Sequence, residues 1–387
     1  MGILPIIAES RQDFISIFKD LHAHPEIGFT EVRTSAIVVE KLREFGVDEV
    51  HPGLGKTGVV GLIKGKGGGN RRVGLRADMD ALPIHEETGL EYASKTDGVM
   101  HACGHDAHTT MLLAAAKHLA KTREFDGTAV LIFQPAEEGL GGARGMLADG
   151  LFEKFPCDEV YGMHNWPNGE PHKFGIVKGA AMAGSSFFDI RIKGRGSHGA
   201  MPHEARDPLI IASSLVGDIQ TIVSRNVRAL DACVVSVTQI HAGSAYNIVP
   251  DTATLAGTIR YFKDEVCALA EKRMKELCDG FALAYGVEIS VELRNVFNVL
   301  QNDSDLSEAY MEAASDIVGP ENVLERTEPV TGSEDFADML RVVPGAYCTL
   351  GHAGNIPVHN PKFFIDTDIL QIGASIMARV VERRLPL

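Results

Sequence analysis

Three things are missing from this sequence, and each absence excludes a class. The six cysteines, Cys103, Cys157, Cys233, Cys267, Cys278 and Cys348, include no CxxC pair. They are scattered, so a disulfide scaffold is excluded and most of them read as packing residues. No apolar run approaches the roughly 18 residues that would span a bilayer. Basic residues are in deficit, 37 against 52 acidic, for a net charge of −15. That balance argues against a nucleic-acid binder, which needs a basic face to displace counterions, and against docking on anionic membrane. The apolar start, Met1 to Ile7, lacks a basic leader and a cleavage site, and Ile6 stands where a myristoylation signal wants Ser or Thr. The expectation is a cytoplasmic protein with reduced thiols.

What is present is an ordinary soluble composition, 45% hydrophobic and 23% charged over 387 residues. That length predicts two domains, or one with a large insertion. The first part alternates helix and strand. Helices are predicted at 11–22, 34–45 and 109–121, and strands at 59–64, 72–76, 128–133 and 158–163. The strand at 128–133 is a continuous apolar run, as expected inside a parallel sheet. From Gly184 the pattern becomes strand, helix, strand, strand, helix, strand, which is the split ferredoxin-like module. After Asn298 helix, strand and helix return. The fold class expected is α/β: a discontinuous catalytic domain with a mixed, mainly parallel sheet and helices on both faces, over 1–183 and 298–387. A βαββαβ domain is inserted over 184–297.

The chemistry-bearing residues fall just past strand ends, where open α/β sheets build ligand sites. Asp78 and Asp80 follow the strand VGLR and share one face if the chain stays extended. They fit either turn capping or a supporting or catalytic role. In MHACGHDAHTT, residues 100–110, His101, Cys103 and His105 alternate, so an extended segment points all three one way. His105 and His108 also fit one face of a helix start. A thiolate and an imidazole suit zinc or a similar divalent ion; the competing chemistry is a nucleophilic Cys103 with a histidine base. After TAVLIF come Glu137 and Glu138, which point apart in extended backbone, so one can hold a metal while the other faces substrate as a general base. His164 ends another strand, and His359 opens the turn His359-Asn360-Pro361. Together these groups suffice for two metal ions about 3.5–4 Å apart sharing a water or hydroxide. Three readings stay open on the residues alone: a di-metal hydrolase, a thiol hydrolase using Cys103, and a non-enzymatic metal-binding protein.

At this point the segments LHAHPEIGFTEVRTS, LRADMDALPI, MHACGHDAHTTMLL, FQPAEEG, GMHNWP, GRGSHGAMPH, AYNIVPDTATLAGTIR, GSEDFA and VHNPKF can be set together. The chain resembles, nearly end to end, the hippurate hydrolase and auxin-conjugate hydrolase branch of the aminoacylase/carboxypeptidase metallopeptidase family. The resemblance implies an amidohydrolase that cleaves N-acyl amino acids. It implies two divalent ions, zinc or manganese first, with nickel or cobalt chemically acceptable. By motif the metal ligands would be Cys103, His105, Glu138, His164 and His359, with Glu137 as general base. His198 of GSHGAMPH would help bind substrate or oxyanion, while Asn247 and Arg260 would hold the substrate amide and carboxylate. The inserted domain would be a lid and a homodimer interface, with a tetramer as a further assembly. The branch leaves the role of Asp78 open.

Overall fold

Strands covered on both faces read as unbroken apolar runs, and GVVGLIK and TAVLIFQ are buried almost throughout. The structure is a computed structural model that describes residues 2–167 and 169–387. The chain forms two compact units. One comprises the residues up to Ala181 with Gln301–Pro329 and Asp335–Leu387; the other is Met182–Leu300 with Val330–Glu334.

In the first unit, helices α1 (Arg11–Ala23) and α2 (Val32–Phe45) precede strands β1 (Glu49–Leu54), β2 (Gly58–Lys64) and β3 (Arg72–Asp78). Helix α3 (His105–Thr122) and strands β4 (Thr128–Gln134), β5 (Glu159–Trp166) and β6 (Phe174–Val177) follow. The second unit contributes β7 (Gly184–Lys193), α4 (Pro208–Thr221), β8 (Cys233–Ala242), β9 (Thr252–Tyr261), α5 (Asp264–Tyr285) and β10 (Glu288–Phe297). The first unit closes with α6 (Ser304–Val318), β11 (Val323–Arg326), β12 (Gly345–Gly351) and α7 (Asp368–Arg384).

Among the described residues the first unit's sheet has eight strands in the order β1-β2-β4-β3-β5-β12-β6-β11. Its centre, β4-β3-β5-β12, is parallel. The flanks are mixed: β1 and β2 are antiparallel to their neighbours, and β6 runs against β12 but alongside β11. This is the α/β architecture that the alternation predicts. One sheet face and helices α3, α6 and α7 share the main core, which includes Leu75, Leu112, Leu113, Tyr161, Tyr310 and Ile376. Each fully buried leucine there contributes about 2 kcal/mol by leaving water. The next residue along β3, Arg76, points to the opposite face, where its guanidinium lies 5.5 Å from the ring centroid of Phe336.

Helix α3 begins at His105, four residues before the Thr109 start read from the pattern. Gly104 caps it in the left-handed region at φ +95°, where only glycine is at ease. A Cβ at that position would also sit 2.3 Å from Asn165 Nδ2. The second unit forms an antiparallel sheet in the order β8-β9-β7-β10. Helix α4 buries Ile211, Leu215 and Ile219 at helical spacing, and α5 buries Val266, Ala270 and Met274. Among the described residues no helix is long and apolar enough to cross a membrane, and all six cysteines are free thiols.

Candidate metal centre

The parallel strands deliver their carboxyl ends to one edge of the sheet, and the candidate ligands collect there. Cys103 and His105 come from the start of α3, Glu137 and Glu138 from the end of β4, His164 from β5, and His359 from the loop after β12. Ligand atoms of Cys103, His105 and His164 lie within 4.8 Å of one another. So do those of Cys103, Glu138 and His359, and those of His105, Glu137 and Glu138. Cys103 Sγ is 3.3 Å from His164 Nε2, and His359 Nε2 is 3.2 Å from Glu138 Oε1. Cys103 and His105 each belong to two of these groupings and so join them into one cluster of the five expected ligands and Glu137.

Two buried atoms in this cluster point to a cation. Among the described residues, His105 Nε2 and Glu138 Oε1 are buried without a hydrogen-bond partner. The Glu138 oxygen has the 3.2 Å approach to His359, which is an ion-pair distance lacking hydrogen-bond geometry. Orphaned buried acceptors are costly, and a divalent ion satisfies both. The donors are sulfur, imidazole nitrogen and carboxylate oxygen, the set that transition ions accept. The residues therefore fit the group.

Tautomers are set from behind. His105 Nδ1 donates to Asp80 Oδ1 at 3.1 Å, and His164 Nδ1 donates to its neighbour's carbonyl, Asn165 O, at 2.6 Å. In both rings Nε2 is left to face the cluster, the usual way a protein orients a histidine ligand. The second Asp80 oxygen accepts from the Glu138 backbone N–H at 3.0 Å. One carboxylate thus holds two candidate ligands.

Burial and neighbouring charge pull the group in opposite directions. Burial raises the Cys103 thiol pKa, and the Glu138 charge adds to that. Burial likewise drives His164 well below its ordinary value. His105 is held well above its own despite burial, chiefly by the Asp78 charge. Contacts with Cys103 and Glu138 raise His359 to about 10.

Asp78 now has a place. It is fully buried, pairs with Arg76 at 2.7 Å and accepts from His108 Nδ1 at 2.6 Å. The far nitrogen of His108 accepts from the Asn165 backbone N–H at 3.0 Å. Asn165 Nδ2 donates to the Cys103 carbonyl at 2.6 Å. This buried chain fixes both Cys103 and His164 from below. Glu31 does similar work beneath the glutamates. It is fully buried and accepts from Thr57 Oγ1 at 2.6 Å and from Ala136 N at 2.8 Å. Ala136 has φ +53°, so the chain is not extended before Glu137. That corrects the expectation of two carboxylates pointing apart: both reach His105.

His101 is a second correction. Its ring contact is with His22 instead. The extended run ends in the Gly104 turn, and the two ring centroids are 6.4 Å apart. Both its nitrogens are buried without partners among the described residues. Neither Asn165 nor Glu31 stands out in the sequence, because an asparagine or a glutamate does not by its type signal burial.

The remaining expected residues belong to the second unit. His198 and Asn247 are exposed neighbours, joined where Gly199 N donates to Asn247 O at 2.7 Å. Arg260, on β9, is half-buried and donates to Ser333 Oγ at 2.6 Å.

With this geometry in hand, similarity to known proteins is informative. Residues 74–383 match the model of peptidase family M20/M25/M40. The chain is 43% identical to hippurate hydrolase of Campylobacter jejuni over 385 residues, covering 100% of each. It is 37% identical to N-acetylcysteine deacetylase of Bacillus subtilis, covering 95% of each. Among solved structures it resembles the Bacillus subtilis YXEP protein, a dinuclear metal binding peptidase, with TM-score 0.84 and 33% identity over 98% of this chain and 99% of that one.

Proposed function

The chain belongs to peptidase family M20/M25/M40 and is a hydrolase; from that premise we propose that it cleaves the amide bond of N-acyl amino acids, R-CO-NH-CHR′-COO⁻, at a two-metal centre. The observation that carries this reading is the sulfur, nitrogen and oxygen cluster at the sheet edge, with its two orphaned buried acceptors. Cys103, His105, Glu138, His164 and His359 would hold the ions, zinc or manganese before nickel or cobalt. When bound, the ions supply Lewis acidity, polarising the acyl carbonyl and lowering the pKa of a water.

Glu137 takes the proton from the attacking water and passes it to the leaving amine. His198 offers a hydrogen bond where negative charge develops on the acyl oxygen. Arg260 pairs with the α-carboxylate as a planar fork, and Asn247 holds the amide. That fork matters because a net charge of −15 repels an anionic substrate. The inserted unit would act as lid and homodimer interface in a cytoplasmic enzyme; light scattering on the eluting protein reads the assembly directly.

A thiol hydrolase is less well supported. Cys103 and His164 are close enough for a dyad, but burial pushes the thiol up and the imidazole down. His105 and His359 also approach Cys103 and are held above the ordinary imidazole value, so it is chelation that separates the two readings: a thiol hydrolase keeps its activity without metal.

The test is a panel of N-acyl amino acids, assayed after chelation and again after metal add-back. Activity should vanish and return. Glu137→Gln should keep its metal and lose turnover by about 10²-fold or more. Near-normal turnover in that variant, or full activity after chelation, would sink the reading.

A further inference from the structure

We propose that Arg326 and Trp166 form a second-carboxylate subsite beside the metal centre, which selects dicarboxylic substrates. The extra carboxylate sits at the end of the acyl chain or on the amino-acid side chain. The inference rests on the amidohydrolase reading and adds to it the charge of the substrate's far end.

The first observation is a cation without a counter-charge. Arg326 is the last residue of β11 and is half-buried. Among the described residues it forms no ion pair and donates no hydrogen bond. Other arginines of the same unit are matched to carboxylates: Arg384 to Glu159, Arg76 to Asp78 and Asp335, Arg144 to Asp338. With 52 acidic residues against 37 basic, a half-buried guanidinium left unmatched is not a shortage of partners.

The second is that the guanidinium is confined. It lies 5.7 Å from the ring centroid of Trp166, within cation–π range. It also packs over Gly175, where a Cβ would come within 2.5 Å of Arg326 Nε. Any side chain at position 175 would displace the guanidinium. Packed near a ring and against a glycine, with no carboxylate of its own among the described residues, the guanidinium is available to take a carboxylate in a two-pronged bond.

The third is position. His164, Thr349 and Gly175 are register partners across β5, β12 and β6, so they share one sheet face. Trp166, two residues beyond His164, is on that face as well. Two strand spacings separate the His164 and Gly175 columns, about 10 Å. That distance suits a short dicarboxylic chain with its amide at the metal centre and its far carboxylate at Arg326. With Arg260 proposed for the α-carboxylate, a second carboxylate needs a cation of its own, and Arg326 is the one proposed for it.

Trp166 is the only tryptophan in the chain, so its fluorescence reports on this place alone. Titration of the metal-loaded protein with glutarate should change the emission saturably, while acetate should not. Arg326→Met should abolish the glutarate response. Kinetics then compare an N-acetyl neutral amino acid, an N-succinyl neutral amino acid and N-acetylglutamate. In Arg326→Met the kcat/KM of one dicarboxylic substrate, relative to the neutral one, should fall at least tenfold through KM. Which of the two falls identifies the end of the substrate that carries the charge. Arg326→Lys, keeping the charge without the fork, should be intermediate and guards against a misfolded methionine variant. Equal losses on all three substrates, or the same emission response to glutarate and acetate, would overturn the proposal. If no acyl amino acid is hydrolysed yet the Arg326-dependent glutarate response is present, the amidohydrolase reading falls and the subsite stands.

Discussion

Asp80 shows how much a single carboxylate can organise: one oxygen orients His105, the other anchors the backbone of Glu138. Asp80→Asn keeps the shape but removes the charge and mis-sets one hydrogen bond. We expect metal affinity to fall about 10–100-fold, measured by competition with a chromophoric chelator; unchanged affinity would contradict the role. His22 makes a different kind of prediction. Burial opposes its charged form, yet hydrogen bonds to Asp106 at 2.7 Å and Glu86 at 3.3 Å prevail and raise its pKa to about 9. A folded pKa above the unfolded value stabilises fully below about 6.5 and loses that contribution as pH rises through about 9. In the metal-free protein, the stability gap between wild type and His22→Gln should therefore shrink across that window. Urea titrations at several pH values read it, and a constant gap would refute an imidazolium at this position. At this scale the sequence displayed donor types well, because cysteine and histidine in close succession are rare in packing. It did not display their supports. Glu31 and Asn165 become informative only when the fold has buried them beneath Ala136 and Cys103.

Elements were legible in proportion to their length and to how continuous their burial is. Strand β4 and helix α3 stand out because neither has a solvent face to interrupt the apolar pattern. Strand β1 was missed: it contains Pro52 and Gly53 and carries a register shift between Pro52 and Leu54, features that speak against a strand. The four-residue strands β6 and β11 are too short to show a period. Their reversed direction depends on partners far away in sequence. The ends of helices are clearer. Asp303 caps α6 by accepting from the backbone N–H groups of Asp305 and Leu306 at 2.9 and 3.0 Å. Asp303→Ala should cost about 1 kcal/mol, seen as a lower urea midpoint at an unchanged slope. A shift in the slope instead would mean that more than a cap had been lost.

For the whole molecule, bound metal is expected to be a large part of the stability. The candidate ligands come from four separate stretches of the first unit, so an ion held by them joins β4, β5, the start of α3 and the loop after β12. At free metal 100 times its dissociation constant, binding would add about 2.7 kcal/mol. Chelation should lower the thermal midpoint and add-back should restore it; a midpoint indifferent to chelator would argue that these side chains bind no ion in the folded protein. The strand–helix rhythm changes near Gly184 and changes back near Asn298, while the second unit runs from Met182 to Leu300. The short return of Val330–Glu334 to the second unit was not legible, since five residues carry no rhythm of their own.

The tie between the chain's two ends also sets a timetable. Leu4 N donates to Ser375 Oγ in α7 at 3.2 Å, and α7 fills one side of the main core. Chains leave the ribosome N-terminus first at roughly 5–20 residues per second. Cys103, His105 and His164 are thus synthesised on the order of ten seconds or more before the helix that completes their core. During that interval the thiol lies open to oxidants and to whichever thiophilic ion is most abundant. We expect any metal taken by Cys103 to depend on the cell's conditions during synthesis, so that purified protein from differently fed cultures differs in metal content before it differs in fold.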